Sequence, residues 1–328
     1  MTARRLLNIS VRPGTPAHQA YYSRGQLSTR ALSPDELAAG FPPHPELNLT
    51  FRGGRTIGDL VFMNRYVGGA DSWNPGDISG IDNALARALT DNGLQTVIQQ
   101  YYQAPVSSRM LASGVIPGPA PARVYKDHAE AMATQLYEDG ALAGADLSST
   151  VINLMLPQGI VLADGFSPGH HPAAGQEAEH RRREDAVVRI DDEAADSLHG
   201  LGGYHGSVHA TAGGADTIIY YAIGVYSEGR NGIPAFDEPW KNVVATFYHE
   251  LNEARTDPDV EEAVRTGNDS LLGWYSDQGG EIGDIPIDEA GSNLSLVFQE
   301  VELADGSGTV PVQLLWSNAD AGPAAHTP

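Results

Sequence analysis

Apolar positions along the first half of the chain switch between a period of two and a period of three to four. Leu47–Arg52 alternates apolar and polar residues and predicts a strand closed by Gly53-Gly54, and Asp59–Val67 predicts a second strand ending at Gly68-Gly69. Asp77–Thr90 places Ile81, Leu85, Ala88 and Leu89 on one helical face, and Gly93–Tyr102 does the same with Leu94, Val97, Ile98 and Tyr101. His128–Gly140 is a third helix, with Met132, Leu136 and Tyr137 inward. Thr150–Leu156 is a strand of nearly unbroken apolar character, suited to the middle of a sheet, and Asp216–Val225 is a second long apolar strand rich in tyrosine. Asn293–Glu300 and Val310–Trp316 read as closing strands. Strands alternating with helices predict a layered α/β (α+β) fold built on a mixed sheet.

The same pattern divides the chain. Residues 1–46 show little periodicity and many Pro, Ser and Ala residues, which predicts an extended N-terminal arm with at most a short helix at Pro34–Ala39. Residues 47–316 form a single α/β domain, with a loop-rich connection at Pro105–Pro121. Gly165–Asp196 interrupts the domain as a charged excursion carrying His170-His171, His180 and Arg181 to Arg183; a solvated loop is the better reading of these histidines than a metal site. In His199–His209, glycines around His205 imply tight backbone near a site. Residues 317–328 read as a disordered tail.

Phe236–Pro258 carries the chemistry. Asp237, Glu238 and Pro239 suit a helix start, and Asp257-Pro258 suits its end. Trp240, Val243, Val244, Phe247, Leu251 and Ala254 form an apolar stripe, and at about 100° per residue His249 and Glu253 fall on the other side. His249-Glu250-Leu251-Asn252-Glu253 is an H-E-x-x-E variant of the zincin helix. Residues four apart can grip one ion, and Glu250 stands where a general base stands in H-E-x-x-H peptidases. Glu281 is the expected third ligand, with Asp284 or Asp257 as alternatives; Tyr275 or His205 would steady an oxyanion. A second carboxylate makes the ion a weaker Lewis acid than a two-histidine site. Arg255, two residues beyond Glu253, points away and cannot offset that charge.

Composition narrows the alternatives. The formal charge is −22, from 42 acidic and 20 basic residues, which argues against nucleic acid and anionic membrane surfaces as partners and suits cation binding. The absence of cysteine excludes thiolate zinc sites and cysteine nucleophiles. No apolar run is long enough to span a bilayer, and MTARRLLNISVRPG is not a secretory signal as it stands, so a cytoplasmic location is expected unless a leader has been removed. A nucleophile elbow of the G-x-S-x-G type and a dinucleotide fingerprint are both missing. The expected function is a zinc-dependent hydrolase acting on peptides. Two alternatives stay open: a binding or signalling protein with a structural site, of which calcium is one form, and a metal-free buried network of the same acids.

Several blocks occur in one order: GYH (Gly203 to His205), HELNEARTDP (His249 to Pro258), GWY (Gly273 to Tyr275), GEIGD (Gly280 to Asp284) and VQLLW (Val312 to Trp316). This order resembles the phosphate-induced protein 1, or EXORDIUM-like, family, whose plant members carry a similar H-E-L-x-E-x-x-T-x-P block followed by a W-Y pair and an acidic block. Bacteria have related proteins. The resemblance covers roughly Gly202 to Trp316. It implies kinship with secreted, growth-linked plant proteins that hold cysteines around these blocks, a feature this chain lacks.

Overall fold

The computed structural model describes residues 9–10, 41–168, 196–212, 215–291 and 293–327. Most of the predicted arm, including the helix expected at Pro34–Ala39, and the histidine- and arginine-bearing part of the 165–196 excursion lie outside these residues. The strands, in chain order, are β1 (Ile9–Ser10), β2 (Leu49–Phe51), β3 (Asp59–Tyr66), β4 (Ser107–Met110), β5 (Gly114–Val115), β6 (Arg123–Val124), β7 (Thr150–Leu156), β8 (Val161–Leu162), β9 (Leu201–Ala212), β10 (Ala215–Val225), β11 (Trp274–Ser276), β12 (Phe298–Glu302), β13 (Thr309–Gln313), β14 (Leu315–Ser317) and β15 (Gly322–Ala324). The helices are α1 (Pro75–Thr90), α2 (Gln95–Gln99), α3 (Lys126–Glu138), α4 (Pro239–Thr256), α5 (Val260–Thr266) and α6 (Asp284–Ala290).

Seven strands form one mixed sheet in the order β1-β9-β10-β7-β3-β4, with β5 pairing beside the later part of β3. Strands β10, β7, β3 and β4 run parallel, while β9 and β10 form an antiparallel hairpin and β1 pairs antiparallel with β9. The predicted α/β class with a mixed sheet is therefore the observed one. Helices cover both faces, and side-chain alternation sorts the core between them. Val151 and Met155 of β7, Phe62 and Tyr66 of β3 and Tyr220 and Ala222 of β10 pack with Ile81 and Leu85 of α1 and Val244, Phe247 and Leu251 of α4. Ile152, Leu154 and Leu156 turn the other way and pack with Ala129 and Ala133 of α3. Every side chain of β7 is buried, as its unbroken apolar run predicts.

The structure changes several expectations. Residues 199–209, expected as tight backbone near a site, are mostly β9, an extended strand paired along β10 that brings His205 against α4. Its Gly203 is needed for space rather than for a turn. A Cβ there would stand 2.9 Å from Thr246 Cγ2 and 3.2 Å from Glu250 Oε1, so glycine lets α4 lie close against the strand. The tail expected to be disordered from Ser317 onward is ordered through Thr327. β14 and β15 pair, Trp316 is wholly buried, and Ala324 and Ala325 join the core. Small residues there read as disorder in composition, but the segment is tied to α2 and the residues after it: the Tyr101 hydroxyl donates to the Trp316 carbonyl at 2.7 Å and Thr327 N donates to Thr96 Oγ1 at 2.8 Å. Asn293–Glu300 is not one strand but a 3-10 turn (Leu294–Leu296) leading into β12. Helices α5 and α6, seven residues each, lacked a periodic signal long enough to see. No helix among the described residues is long and apolar enough to cross a membrane.

Candidate metal centre

Helix α4 positions the site. Proline at its first turn and the Asn242 side chain, which accepts from Phe236 N at 2.7 Å and donates to the Ser227 carbonyl at 3.0 Å, set where it begins. At its other end Thr256 Oγ1 donates to the Asn252 carbonyl at 2.8 Å, and Asp257 leaves helical geometry before Pro258. All residues from Asn242 to Thr256 are buried, so the polar side is not a solvated face. Arg255 points away from the site, as the sequence predicts. Its guanidinium lies against the carbonyls of Gly58 (2.8 Å) and Ser107 (3.1 Å), beside the helix C-terminus where positive charge is favoured.

His249 and Glu253 share one side of α4, with Nε2 3.0 Å from Glu253 Oε2. The third member of their group is Asp284, whose Oδ1 lies 3.9 Å from the same nitrogen; the three ligand atoms all fall within 4.8 Å of one another. Two ligands of a tetrahedral ion, each about 2.1 Å from it, stand roughly 3.4 Å apart, and the two observed distances bracket that spacing. His249 and Glu253 are each held from behind. Gln313 on β13 donates through Nε2 to the carbonyls of Gly283 (2.7 Å) and Leu314 (3.1 Å), which turns its Oε1 toward His249 Nδ1 at 2.5 Å. The imidazole must then donate from Nδ1, which leaves Nε2, directed at Glu253 Oε2, to carry a proton when no cation is bound or to offer its lone pair to one. Glu253 Oε1 accepts from the N–H groups of Gly283 (3.0 Å) and Asp284 (3.1 Å), while its Oε2 has no hydrogen-bond partner.

His205 comes up from β9 on the far side of Glu253. Its Nδ1 is 3.5 Å from Glu250 Oε2 and 3.6 Å from Glu253 Oε2, and these form a second three-ligand group. Its Nε2 faces the Asp257 carbonyl at 3.2 Å. Two sequence expectations change here. Glu281, expected as the third ligand beside His249 and Glu253, stands behind His205 instead, 3.7 Å from Nε2 and in neither group; Asp284, the alternative, takes its place. Glu250, expected as a base beside an ion on His249, is grouped with His205. Asp257, the other alternative ligand, accepts from Gly273 N at 2.8 Å and ties α4 to the next segment. Tyr275 is half-buried on β11, and burial together with the carboxylates of Glu281, Asp284 and Asp257 raises its pKa.

The electrostatics are severe. Five carboxylates, of Glu250, Glu253, Asp257, Glu281 and Asp284, meet two imidazoles, and among the described residues no Lys or Arg forms an ion pair with any of them. Burial raises Glu281, Asp284 and Glu250 above the ordinary carboxylate range and lifts Asp257 to about 8. Glu253 goes the other way, to about 2: burial opposes its charge, but His249 and His205 outweigh burial. Burial also opposes the charged imidazoles, yet Glu253 lifts His249 to about 9, and Glu281, Glu250 and Glu253 hold His205 well above its usual value. Without a bound cation, the cluster stays buried only by retaining protons.

Gln313 carries no ligand-spacing signal; it stands in the VQLLW block, but nothing in that block marks it as a partner of His249. The placement of His205 among the carboxylates depends on β9 lying against α4, a tertiary fact. Asp284 was visible in the GEIGD block but not separable there from Glu281. No protein-family model matches the chain, no curated protein matches its sequence, and no solved structure matches it.

Proposed function

We propose that this protein is a metal-dependent hydrolase whose ion is held by His249 Nε2, Glu253 Oε2 and Asp284 Oδ1. The observation that carries the reading is the Gln313–His249 contact. A glutamine whose amide is already committed to two carbonyls forces the imidazole to offer its other nitrogen to the carboxylates, which is how a histidine ligand is prepared. The donor set of nitrogen with two carboxylate oxygens suits zinc or another first-row divalent ion; calcium prefers oxygen alone. Such an ion would supply a Lewis acid and lower the pKa of water beside it. The chain's own groups would hold and return the proton: Glu250 and Glu281 are buried acids with raised pKa values and no hydrogen-bond partner on either oxygen. Asp284, with a side chain 15 % exposed, is where the cluster reaches solvent. Peptides remain the substrate class that the zincin-type helix suggests.

Residues from four of the five blocks that carry the EXORDIUM-like resemblance meet at this one centre: His205; His249, Glu250, Glu253 and Asp257; Glu281 and Asp284; and Gln313. Their convergence supports reading the blocks as one functional unit. A second reading, a structural ion site in a binding protein, is favoured by burial, since His249, Glu250, Glu253 and Glu281 are all fully enclosed.

Elemental analysis of the purified chain, followed by peptide cleavage with and without chelator, tests both. The hydrolase reading expects bound zinc that is lost in His249→Ala, and cleavage that chelator stops and zinc restores. Bound metal without cleavage under any condition leaves the structural reading. No bound divalent ion in the parent removes both and leaves a protonated network.

A further inference from the structure

The second three-ligand group is as completely prepared as the first, and the proposed ion site takes only Glu253 from it. His205 Nδ1 and both oxygens of Glu250 are buried without a hydrogen-bond partner, and His205 Nδ1 lies 3.5 Å from Glu250 Oε2 and 3.6 Å from Glu253 Oε2, itself unpartnered. The preparation of the two histidines is symmetrical. His249 turns Nδ1 to the Gln313 amide oxygen and Nε2 to Glu253; His205 turns Nε2 to the Asp257 carbonyl and Nδ1 to Glu253. In each case a backbone-anchored acceptor takes one ring nitrogen and leaves the other for a cation.

A single ion does not satisfy both sides. The groups whose ligand atoms lie within 4.8 Å of one another are His205–Glu250–Glu253 and His249–Glu253–Asp284, and Glu253 is their one common member. Ligands of one ion, each about 2.1 Å away, are at most about 4.2 Å apart, so the histidines are too far apart, as placed, to share an ion. We infer that the centre holds two divalent cations, one in each group, with Glu253 Oε2 bridging them. The inference rests on the metal-site reading above and extends it to the two-metal arrangement, in which paired ions clamp the attacking and leaving oxygens of a substrate from both sides. Two dications also answer the five buried carboxylates better than one does. With both positions filled, Glu250 is a ligand, and Glu281, 3.7 Å from His205 Nε2, remains the buried acid that can hold a proton.

The test is a calorimetric titration of the metal-stripped full chain with Zn²⁺, checked by elemental analysis after gel filtration, and repeated with Mn²⁺ under electron paramagnetic resonance. The expected result is two Zn²⁺ per chain and an exchange-coupled Mn²⁺ pair. Glu250→Gln, nearly isosteric, should keep one ion and weaken the other at least tenfold, with the coupled signal replaced by that of an isolated Mn²⁺. His205→Ala should do the same; should it not fold, as judged by its circular dichroism melt, the Glu250→Gln result decides. One Zn²⁺ in the parent overturns the second position while leaving the first. Two ions retained unweakened in Glu250→Gln overturn the ligand assignment. No Zn²⁺ at all overturns the underlying metal-site reading as well.

Discussion

Gln313 Oε1 stands 2.5 Å from His249 Nδ1, and this contact between a strand and a helix 64 residues apart decides which imidazole nitrogen faces the carboxylates. Gln313→Leu keeps the volume but removes the acceptor, so the ring is free to place its proton on either nitrogen. Loss of such a supporting group costs about 10- to 100-fold in metal affinity. The expected outcome is a fall of that size in zinc affinity, read by competition with a chromophoric chelator. An unchanged affinity means that Gln313 does not set the tautomer.

Gly283 touches the same histidine from its backbone. Its φ of −95° is open to any residue, so conformation is not what requires glycine; space is. A Cβ at this position would sit 2.4 Å from His249 Nδ1, and the histidine is enclosed on all sides. Gly283→Ala is expected to destabilise the chain by about 1–3 kcal/mol, the usual cost of overpacking a closed site, and to lose metal. Gly58→Ala is the control, because a Cβ there meets only ordinary contacts at 3.6 Å and beyond. Equal melting temperatures for the two variants would show that His249 yields.

The fold was legible where one element repeats one period over many residues. Thr150–Leu156 and α4 are legible almost to the residue, because an apolar run and a 3.6-residue stripe survive whatever packs around them. α5 and α6 are not legible there, because seven residues give too few turns to show a period. At the site, His249 and Glu253 were legible because their relation is local, four residues along one helix. The exchange of Glu281 for Asp284 was not. Both belong to one short glycine-rich block, and which of them reaches His249 depends on how Gly283 lies across the helix, a relation written in three dimensions only.

Glu253 and Glu281 offer a contrast between two buried glutamates. Glu253 is held ionised by the histidines and by two N–H groups, whereas burial holds Glu281 protonated. Glutamine mimics a protonated glutamate in shape and charge. Without metal at neutral pH, Glu281→Gln should therefore change stability little, within about 0.5 kcal/mol, whereas Glu253→Gln should cost about 1–3 kcal/mol by putting an amide where the imidazoles need an anion. Urea unfolding of the two variants in chelator gives the comparison. A larger loss for Glu281→Gln would reverse the assignment of charge within the cluster.

The pH dependence of the metal-free chain follows from the same groups, and its sign can be worked out. His249, lifted from 6.5 to about 9, keeps a proton in the folded state that the unfolded chain releases, so its contribution is complete below about pH 6.5 and is lost as pH rises through 9. Asp257, lifted from 3.8 to about 8, acts in the same direction: the folded state holds a proton that the unfolded chain has given up, and stability declines between those values. Glu253, lowered to about 2, has the opposite sign, but its effect is confined to pH below its ordinary 4.5. From pH 6 to 9 the shifts at His249 and Asp257 therefore agree, and the melting temperature in chelator should fall across that interval. Bound divalent ions replace the retained protons, so the fall should shrink when zinc is present. A metal-free melting temperature that is flat or rises from pH 6 to 9 would mean that the buried carboxylates are compensated by something other than protons, and the case for a cation centre would lose its electrostatic basis.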